Sequence, residues 1–463
     1  MVVASKPRQL VGSAKVEFLA GKNVLIVGLG KSGKAAAALC ATGGALLSGM
    51  DRKARTDFPE ECEELECLGM TLHLAGHPAL GKYDIVITSP GIPRNHPAIL
   101  SAREDGVPVW GETELAARCA GCHLVSITGT DGKSTTCTLV TDVLRAHRKR
   151  TLLGGNIGVP FSELLLRKEF VHSPHVVLEV SSYQLEHIEC FKPEVAAILN
   201  IAPDHVKHHG SMKAYRQAKW RIVQNMDEHG FIVLRNDLAA EVPDDLRPSP
   251  LYFGLSDEGR EGAFWVKNKI VWRYGGETIR CSASRMGSLA PPEQENFLAA
   301  LTVAMAAGGE LQKSLSVLKR FKPLPHRLEE VGEWKGIHFV NDSKATNVHS
   351  ALAALDSLPA QIVWIAGGQS KDEDFSPLVE ASRAKVRSAV LLGETANTMA
   401  ANLVDATSVH RVSSMKDAVA RACRLAKPGD TVLLAPACSS FDMYTSFEER
   451  GKEFCRLVTE RMR

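Results

Sequence analysis

Two glycine-rich turns, one lysine and a few carboxylates hold most of the chemistry legible in this chain. The run LVSIT leads into Gly129-Thr130-Asp131-Gly132-Lys133-Ser134-Thr135, then into a helical pattern reaching about His147. Backbone N–H groups of such a turn cradle phosphates. A lysine at Lys133 reaches β/γ oxygens, and the hydroxyl of Ser134 or Thr135 can ligate Mg²⁺. Only two residues separate Gly129 from Gly132, so the turn is shorter than the usual G-x-x-x-x-G-K-[ST]. The strand–turn–helix context is right, and ATP is the expected ligand. A bare glycine turn with a surface lysine would leave Ser134-Thr135 to be explained by helix capping alone.

The second turn, Gly28-Leu29-Gly30-Lys31-Ser32-Gly33, follows NVLIV and opens an alanine-rich helix, Lys34–Cys40. Such a helix N-terminus holds a diphosphate. A strand near Leu46–Gly49 ends at Asp51, where a ribose-binding acid would sit. On this motif alone a nicotinamide-dependent oxidoreductase stays open, as does a tight turn with no ligand. Ser89-Pro90-Gly91-Ile92-Pro93 follows DIVIT and could line the same crevice.

Polar residues also appear where strands should end apolar. HVVLEV carries Glu179 inside an apolar run, and burying a lone carboxylate costs several kcal/mol unless it is paired or metal-bound. VAAILNI ends near Asn200, with Asp204-His205 just beyond. The pattern Met212–Met226 gives a helix with Met212, Tyr215, Ile222, Val223 and Met226 on one face. Lys219, four residues from both Tyr215 and Val223, lies on that face. Alone, such a lysine more often runs its stem along the core edge. Beside Glu179, His205 and a phosphate loop it reads as an active-site lysine, since a carboxylate and a histidine can share Mg²⁺ with phosphates. Near the C-terminus, Asn341–Asn347, Gly367–Lys371 and Pro436–Asp442 follow apolar runs. They set small, polar and cationic groups at the strand ends where open α/β sheets take ligands.

Holding these turns requires an α/β fold. Candidate strands are Asn23–Gly28, Ile85–Thr88, Leu124–Thr128, Val176–Val180, Val195–Ile201, Phe231–Leu234, Ile362–Ala366, Ala389–Leu392 and Thr431–Ala435. Many are unbroken apolar runs, as in parallel strands buried on both faces, and they alternate with helical patterns. The aromatic-rich stretch Phe253–Arg280 between glycine clusters predicts a small β-hairpin. Breaks near Val107–Thr113 and at FKPLP divide the chain into domains 1–112, 113–323 and 324–463.

Composition narrows the classes. The length of 463 residues predicts two to four domains. Lys+Arg 55 less Asp+Glu 53 gives +2, so no global charge calls for nucleic acid or anionic membrane. No apolar run approaches the ~20 residues of a membrane helix. The N-terminal residues make a poor secretory signal, and eleven scattered cysteines read as reduced thiols, so a cytoplasmic chain is expected. Cys119-x-x-Cys122 lacks a second pair at zinc spacing. His208-His209 and the basic run Arg145–Arg150 read as ordinary surface features.

In order along the chain, ITGTDGKST, GGNIG, LEVSSYQLE, LNIAPDH, YRQAKWRI, PHRLE and NDSKATN resemble the Mur ligase family across nearly the whole sequence. NDSKATN, SPGIP and PACSSFD resemble its D-glutamate-adding branch. The resemblance implies a Rossmann-like N-terminal domain, a central P-loop ATPase-type domain and a Rossmann-like C-terminal domain, in a monomer. It implies ATP-dependent addition of D-glutamate to UDP-N-acetylmuramoyl-L-alanine through an acyl phosphate, in peptidoglycan precursor synthesis.

By the same resemblance, Gly129–Thr135 hold ATP together with Asn296, Arg327 and Asp342. Lys133, His205 and Lys219 are catalytic. Ser134, Glu179, His205 and a carbamylated Lys219 serve Mg²⁺. Gly30, Lys31, Ser32, Asp51, Ser89 and Asn156 hold the UDP substrate, and Lys371, Ser440 and Phe447 hold D-glutamate. Two positions depart from the family. Pro292-Glu293 replaces a His-Asn pair before Asn296, removing one expected ATP contact. Lys207 replaces an aspartate, removing one local acidic interaction.

Overall fold

The computed structural model describes residues 15–76, 81–147, 149–170, 174–282, 286–287, 289–320, 324–370 and 374–462. Three sheets carry the fold, lying within 1–112, 113–323 and 324–463. The first holds β1 (Asn23–Val27), β2 (Leu46–Met50), β3 (Thr71–His73), β4 (Ile85–Thr88) and β5 (Val109–Gly111), all parallel, in the order β3-β2-β1-β4-β5. Val24, Leu25, Ile26 and Val27 are all buried, as an unbroken apolar run in a two-faced parallel sheet must be. The strand order reverses between β2-β1 and β1-β4. That reversal sets the turns after β1 and β4 side by side, the position where open α/β sheets take ligands.

The second sheet holds β6 (His123–Thr128), β7 (Thr151–Gly155), β8 (His175–Glu179), β9 (Val195–Ile198), β10 (Phe231–Arg235), β11 (Ser249–Gly254), β12 (Gly262–Val266), β13 (Lys269–Tyr274) and β14 (Glu277–Ser282). Its order is β14-β13-β12-β11-β10-β9-β6-β8-β7, parallel except for the β12-β13-β14 meander. Register pairs Ile127 with Glu179 and Thr128 with Ile198. The phosphate turn after β6 therefore lies between the ends of β8 and β9.

The third sheet holds β15 (Glu329–Trp334), β16 (Ile337–Asn341), β17 (Ile362–Ala366), β18 (Val386–Leu391), β19 (Ser408–Arg411) and β20 (Thr431–Leu434), in the order β15-β16-β20-β17-β18-β19. Only β15 is antiparallel to its neighbour. The polar turns read from the sequence after β16, β17 and β20 thus leave three adjacent strands.

The described chain forms two compact units. One comprises Met1–Ile201, Met212–Leu289 and Glu293–Arg320; the other comprises Ala202–Ser211, Ala290–Pro292 and Phe321–Arg463. No described helix is long and apolar enough to cross a membrane.

Several boundaries differ from the sequence expectation. The helix after Gly30 starts at Lys31 rather than Lys34, so Lys31 and Ser32 occupy its first turn. The strand expected over Val195–Ile201 stops at Ile198, which frees Asn200 to fold against the phosphate turn. The helix expected over Met212–Met226 ends at Trp220 and continues as a 3₁₀ turn, Arg221–Val223. The expected hairpin near Phe253–Arg280 is a three-strand meander extending the main sheet through β11. The expected strands do not include β3, β5, β7, β15 or β19; β7 ends in Gly154-Gly155 and β15 is mostly polar, so neither carries an apolar strand pattern.

Candidate active site

The phosphate turn is braced at almost every backbone group. Gly129 has φ +155 and Gly132 φ +81, conformations that L side chains rarely adopt. Asn200 Oδ1 accepts from Thr130 N–H (3.0 Å) and Asp131 N–H (2.9 Å), while its Nδ2 donates to Asp131 O (3.2 Å). Lys133 Nζ donates to Gly129 O (2.9 Å) and Thr130 O (2.6 Å). The Thr130 hydroxyl bonds the Tyr215 hydroxyl at 3.1 Å. The helix Lys133–Ala146 starts directly at Gly132, so its first N–H groups and its dipole point at whatever the turn holds.

Lys219 is 2% exposed, and its Nζ donates to Gly129 O at 2.8 Å and sits 4.6 Å from the Tyr215 ring centre. The face expected from helical spacing is therefore the buried one at Tyr215 and Lys219. The ammonium ends on the phosphate turn rather than reaching solvent.

Asn296, on the helix Pro291–Ala306, closes the turn from another side. A Cβ on Gly132 would stand 2.1 Å from Asn296 Oδ1, and that oxygen accepts from Thr136 Oγ1 (3.4 Å). Glu179 is 3% exposed at the end of β8; its Oε1 accepts from Asn156 Nδ2 (2.8 Å), and its carbonyl accepts from Asn156 N–H (2.8 Å).

These residues fit a magnesium nucleotide. The buried Thr135 Oγ1 has no hydrogen-bond partner among the described residues. Ser134, Thr135 and Glu179 offer the hard oxygen donors that Mg²⁺ takes.

A cleft of about 300 Å³ lies between the first two sheets' turns. Gly30, Lys31, Ser32, Ser89 and Pro90 form one wall; Gly155, Asn156, Gly158, Pro160 and Gln184 form the other. Lys31 Nζ donates to Gly158 O across it. Ser89 Oγ donates to Gly28 O (2.7 Å), which fastens the two turns together. Asp51 stands outside that lining. Its carboxylate braces the turn instead, accepting from Leu29 N–H (2.8 Å) and Lys53 N–H (3.0 Å).

In the second unit, His205 adopts the left-handed conformation (φ +54), with Nε2 3.5 Å from Asp204 Oδ2, and Asn347 Nδ2 donates to that same oxygen (3.4 Å). Asp342 Oδ1 accepts from Leu328 N–H (3.4 Å), beside Arg327. Lys344 Nζ lies 4.0 Å from the Phe447 ring centre. Ser440 is buried. Lys371 lies outside the described residues.

Sequence reasoning passed over Arg450. It is buried and donates to Ser343 Oγ, Ser343 O, Cys438 O and Ser439 O, tying together two of the polar turns. Burial, opposed by nearby Cys438, Asp442 and Tyr444, brings its pKa down to about 10. The helical pattern around Arg450 hid it among exposed charges.

The structure thus gathers Lys133, Ser134, Thr135, Lys219 and Asn296 at the phosphate turn, with Glu179 at the end of neighbouring β8 and Asn156 just past β7. His205, Arg327, Asp342, Ser440 and Phe447 belong to the second unit.

Residues 22–111 match the Mur ligase MurD-like N-terminal domain, 127–304 the Mur ligase middle domain, and 326–438 the Mur ligase glutamate ligase domain. The UDP-N-acetylmuramoylalanine–D-glutamate ligase of Koribacter versatilis is 38% identical over 444 residues, covering 95% of this chain and 97% of that protein. The protein of the same name from Myxococcus xanthus is 39% identical, covering 95% and 98%. Among solved structures, MurF from Acinetobacter baumannii aligns over 99% of this chain and all of its own (100%) with a TM-score of 0.60 at 16% identity. The UDP-N-acetylmuramate-alanine ligase MurC of Thermotoga maritima aligns over 95% and 100% with 0.55 at 18%. These two likenesses concern the fold. With 38% and 39% identity to these curated relatives over 95% of its length and three matched domains in sequence, the chain belongs to the Mur ligase family.

Proposed function

We propose that the chain adds D-glutamate to UDP-N-acetylmuramoyl-L-alanine at the expense of ATP, in the cytoplasm. Residues 1–112 hold the UDP substrate, 113–323 hold ATP and 324–463 hold the amino acid. The observation that carries this is the buried Lys219 ammonium on the Gly129 carbonyl of a phosphate turn, in a chain whose near full-length relatives bear this ligase name.

The substrate carboxylate attacks the γ-phosphorus, the bond to ADP breaks, and an acyl phosphate forms. The D-glutamate amine then attacks the acyl carbon, phosphate leaves, and the amine loses a proton. Positioning and charge neutralisation supply most of such catalysis. Lys133 exchanges its carbonyl partners for phosphoryl oxygens. Gly132–Thr135 offer N–H groups to the phosphates, while Asn296, Arg327 and Asp342 hold the nucleotide. Ser134, Glu179, His205 and a carbamylated Lys219 would hold Mg²⁺, which when bound offsets the charge of the transferring phosphoryl group. Gly30, Lys31, Ser32, Asp51, Ser89 and Asn156 hold the UDP substrate. Lys371, Ser440 and Phe447 take D-glutamate.

The test is phosphate release with ATP, Mg²⁺, UDP-N-acetylmuramoyl-L-alanine and D-glutamate, each omitted in turn. Release that does not depend on D-glutamate refutes the reading. For the carbamate, Lys219→Ala should be nearly inactive and partly restored by a short carboxylic acid; unchanged activity would exclude it.

A further inference from the structure

We propose that Asn200 is a positioning residue for the phosphate turn, doing from the neighbouring strand end what two absent loop residues do in the longer pattern. The inference rests on the reading that this turn takes ATP. Only Thr130 and Asp131 stand between its glycines, and Asn200 satisfies main-chain groups of both from outside the turn. Thr130 N–H is shared between the Asn200 backbone carbonyl and Oδ1, both at 3.0 Å. Asp131 N–H goes to the same Oδ1, and Asp131 O takes the Nδ2 proton.

Two consequences follow from this geometry. First, the amides of Thr130 and Asp131 already have partners, so the amides left to meet phosphate are those from Gly132 onward, at the helix N-terminus. Second, Lys133 now braces Gly129 O and Thr130 O and must let go of them to reach a phosphoryl oxygen. Asn200 holds Thr130 and Asp131 by side-chain bonds to their main chain that do not involve Lys133. Asn200 is mostly buried (8% exposed), where such bonds are worth more than in water. It touches no reacting atom and acts through the turn.

The test compares the full chain with Asn200→Leu, which has similar volume and no polar atoms, and Asn200→Asp, which keeps the acceptor for both N–H groups. Titration calorimetry reads the affinity for Mg·ADP and, separately, for UDP-N-acetylmuramoyl-L-alanine. Asn200→Leu should weaken ADP at least tenfold, about 1.4 kcal/mol, with UDP-substrate affinity within about twofold of the parent. Asn200→Asp should fall between the two, and KM for ATP should rise more than KM for D-glutamate. Any of three results overturns the inference: ADP affinity in Asn200→Leu equal to the parent's, parallel loss of both ligands, or Asn200→Asp as weak as Asn200→Leu. A parent that binds ADP without D-glutamate-dependent phosphate release would refute the proposed function and leave this comparison readable. A parent that does not bind ADP would refute both.

Discussion

Replacing Gly132 by alanine separates backbone strain from loss of the nucleotide site. Gly132 has φ +81, and an L-residue there costs about 1 kcal/mol or somewhat more. The new Cβ would stand 2.1 Å from Asn296 Oδ1 and 3.2 Å from its Cγ. Asn296 must therefore swing away, giving up the Thr136 hydroxyl and a good rotamer, for another ~1 kcal/mol. The sum is about 2–3 kcal/mol. A shift of roughly 2–4 °C per kcal/mol for a body of this size gives a fall in Tm of roughly 5–10 °C without nucleotide.

Gly259 supplies the control. Its φ is +80, with nothing within 4 Å of a Cβ. Gly259→Ala should lose only the conformational part, about 1 kcal/mol, and bind ADP normally. Gly132→Ala should also lose ADP affinity by tenfold or more, because both the turn and Asn296 move. Differential scanning calorimetry and ADP titration on the two variants decide the matter. Equal Tm losses with equal ADP affinity would refute the argument that Asn296 occupies the space Gly132 leaves.

Other expectations can be checked separately. Glu114, fully buried, accepts from the N–H groups of Glu189, Cys190 and Phe191 and from Arg118 Nε. Glu114→Ala strands them and should cost about 3–5 kcal/mol in urea unfolding, with KM values unchanged in the surviving fraction. Burial, the largest influence on His187, holds its pKa down to about 4. Below pH 6.5 the unfolded chain takes up a proton that the folded ring refuses until about pH 4. Stability should then fall across that window by on the order of 3 kcal/mol, and His187→Leu should flatten the fall; an unchanged slope in the urea midpoint against pH would count against it. Chelating Mg²⁺ should abolish phosphate release while leaving UDP-substrate affinity intact by calorimetry. Loss of both would place the metal outside the nucleotide site.

The two glycine turns were legible because their chemistry is local. Strand, tight turn and helix start lie within a few residues, so glycine positions and the following hydroxyls carry the signal unaided. Lys219 was legible by helical spacing, since a residue four positions from Tyr215 must share its face. Strand ends were less legible. Apolar runs do not record where pairing stops, so the sequence extended β9 through Ile201 and hid the turn that frees Asn200.

Composition and local spacing by themselves determined the α/β class and the places of the two glycine turns, and they picked out the candidate polar groups. Only the tertiary structure decided which groups meet. Asn200 braces a turn 69 and 70 residues earlier. Gly28 and Ser89 meet because β1 and β4 pair. Glu179 stands beside Ile127, at the end of the strand that leads into the phosphate turn, because β8 lies against β6. Arg450 ties together Ser343 and Ser439 from over a hundred residues and from eleven residues away. Strand order is set by how buried faces pack and by which crossovers close. That is a property of the whole sheet, and no single segment encodes it.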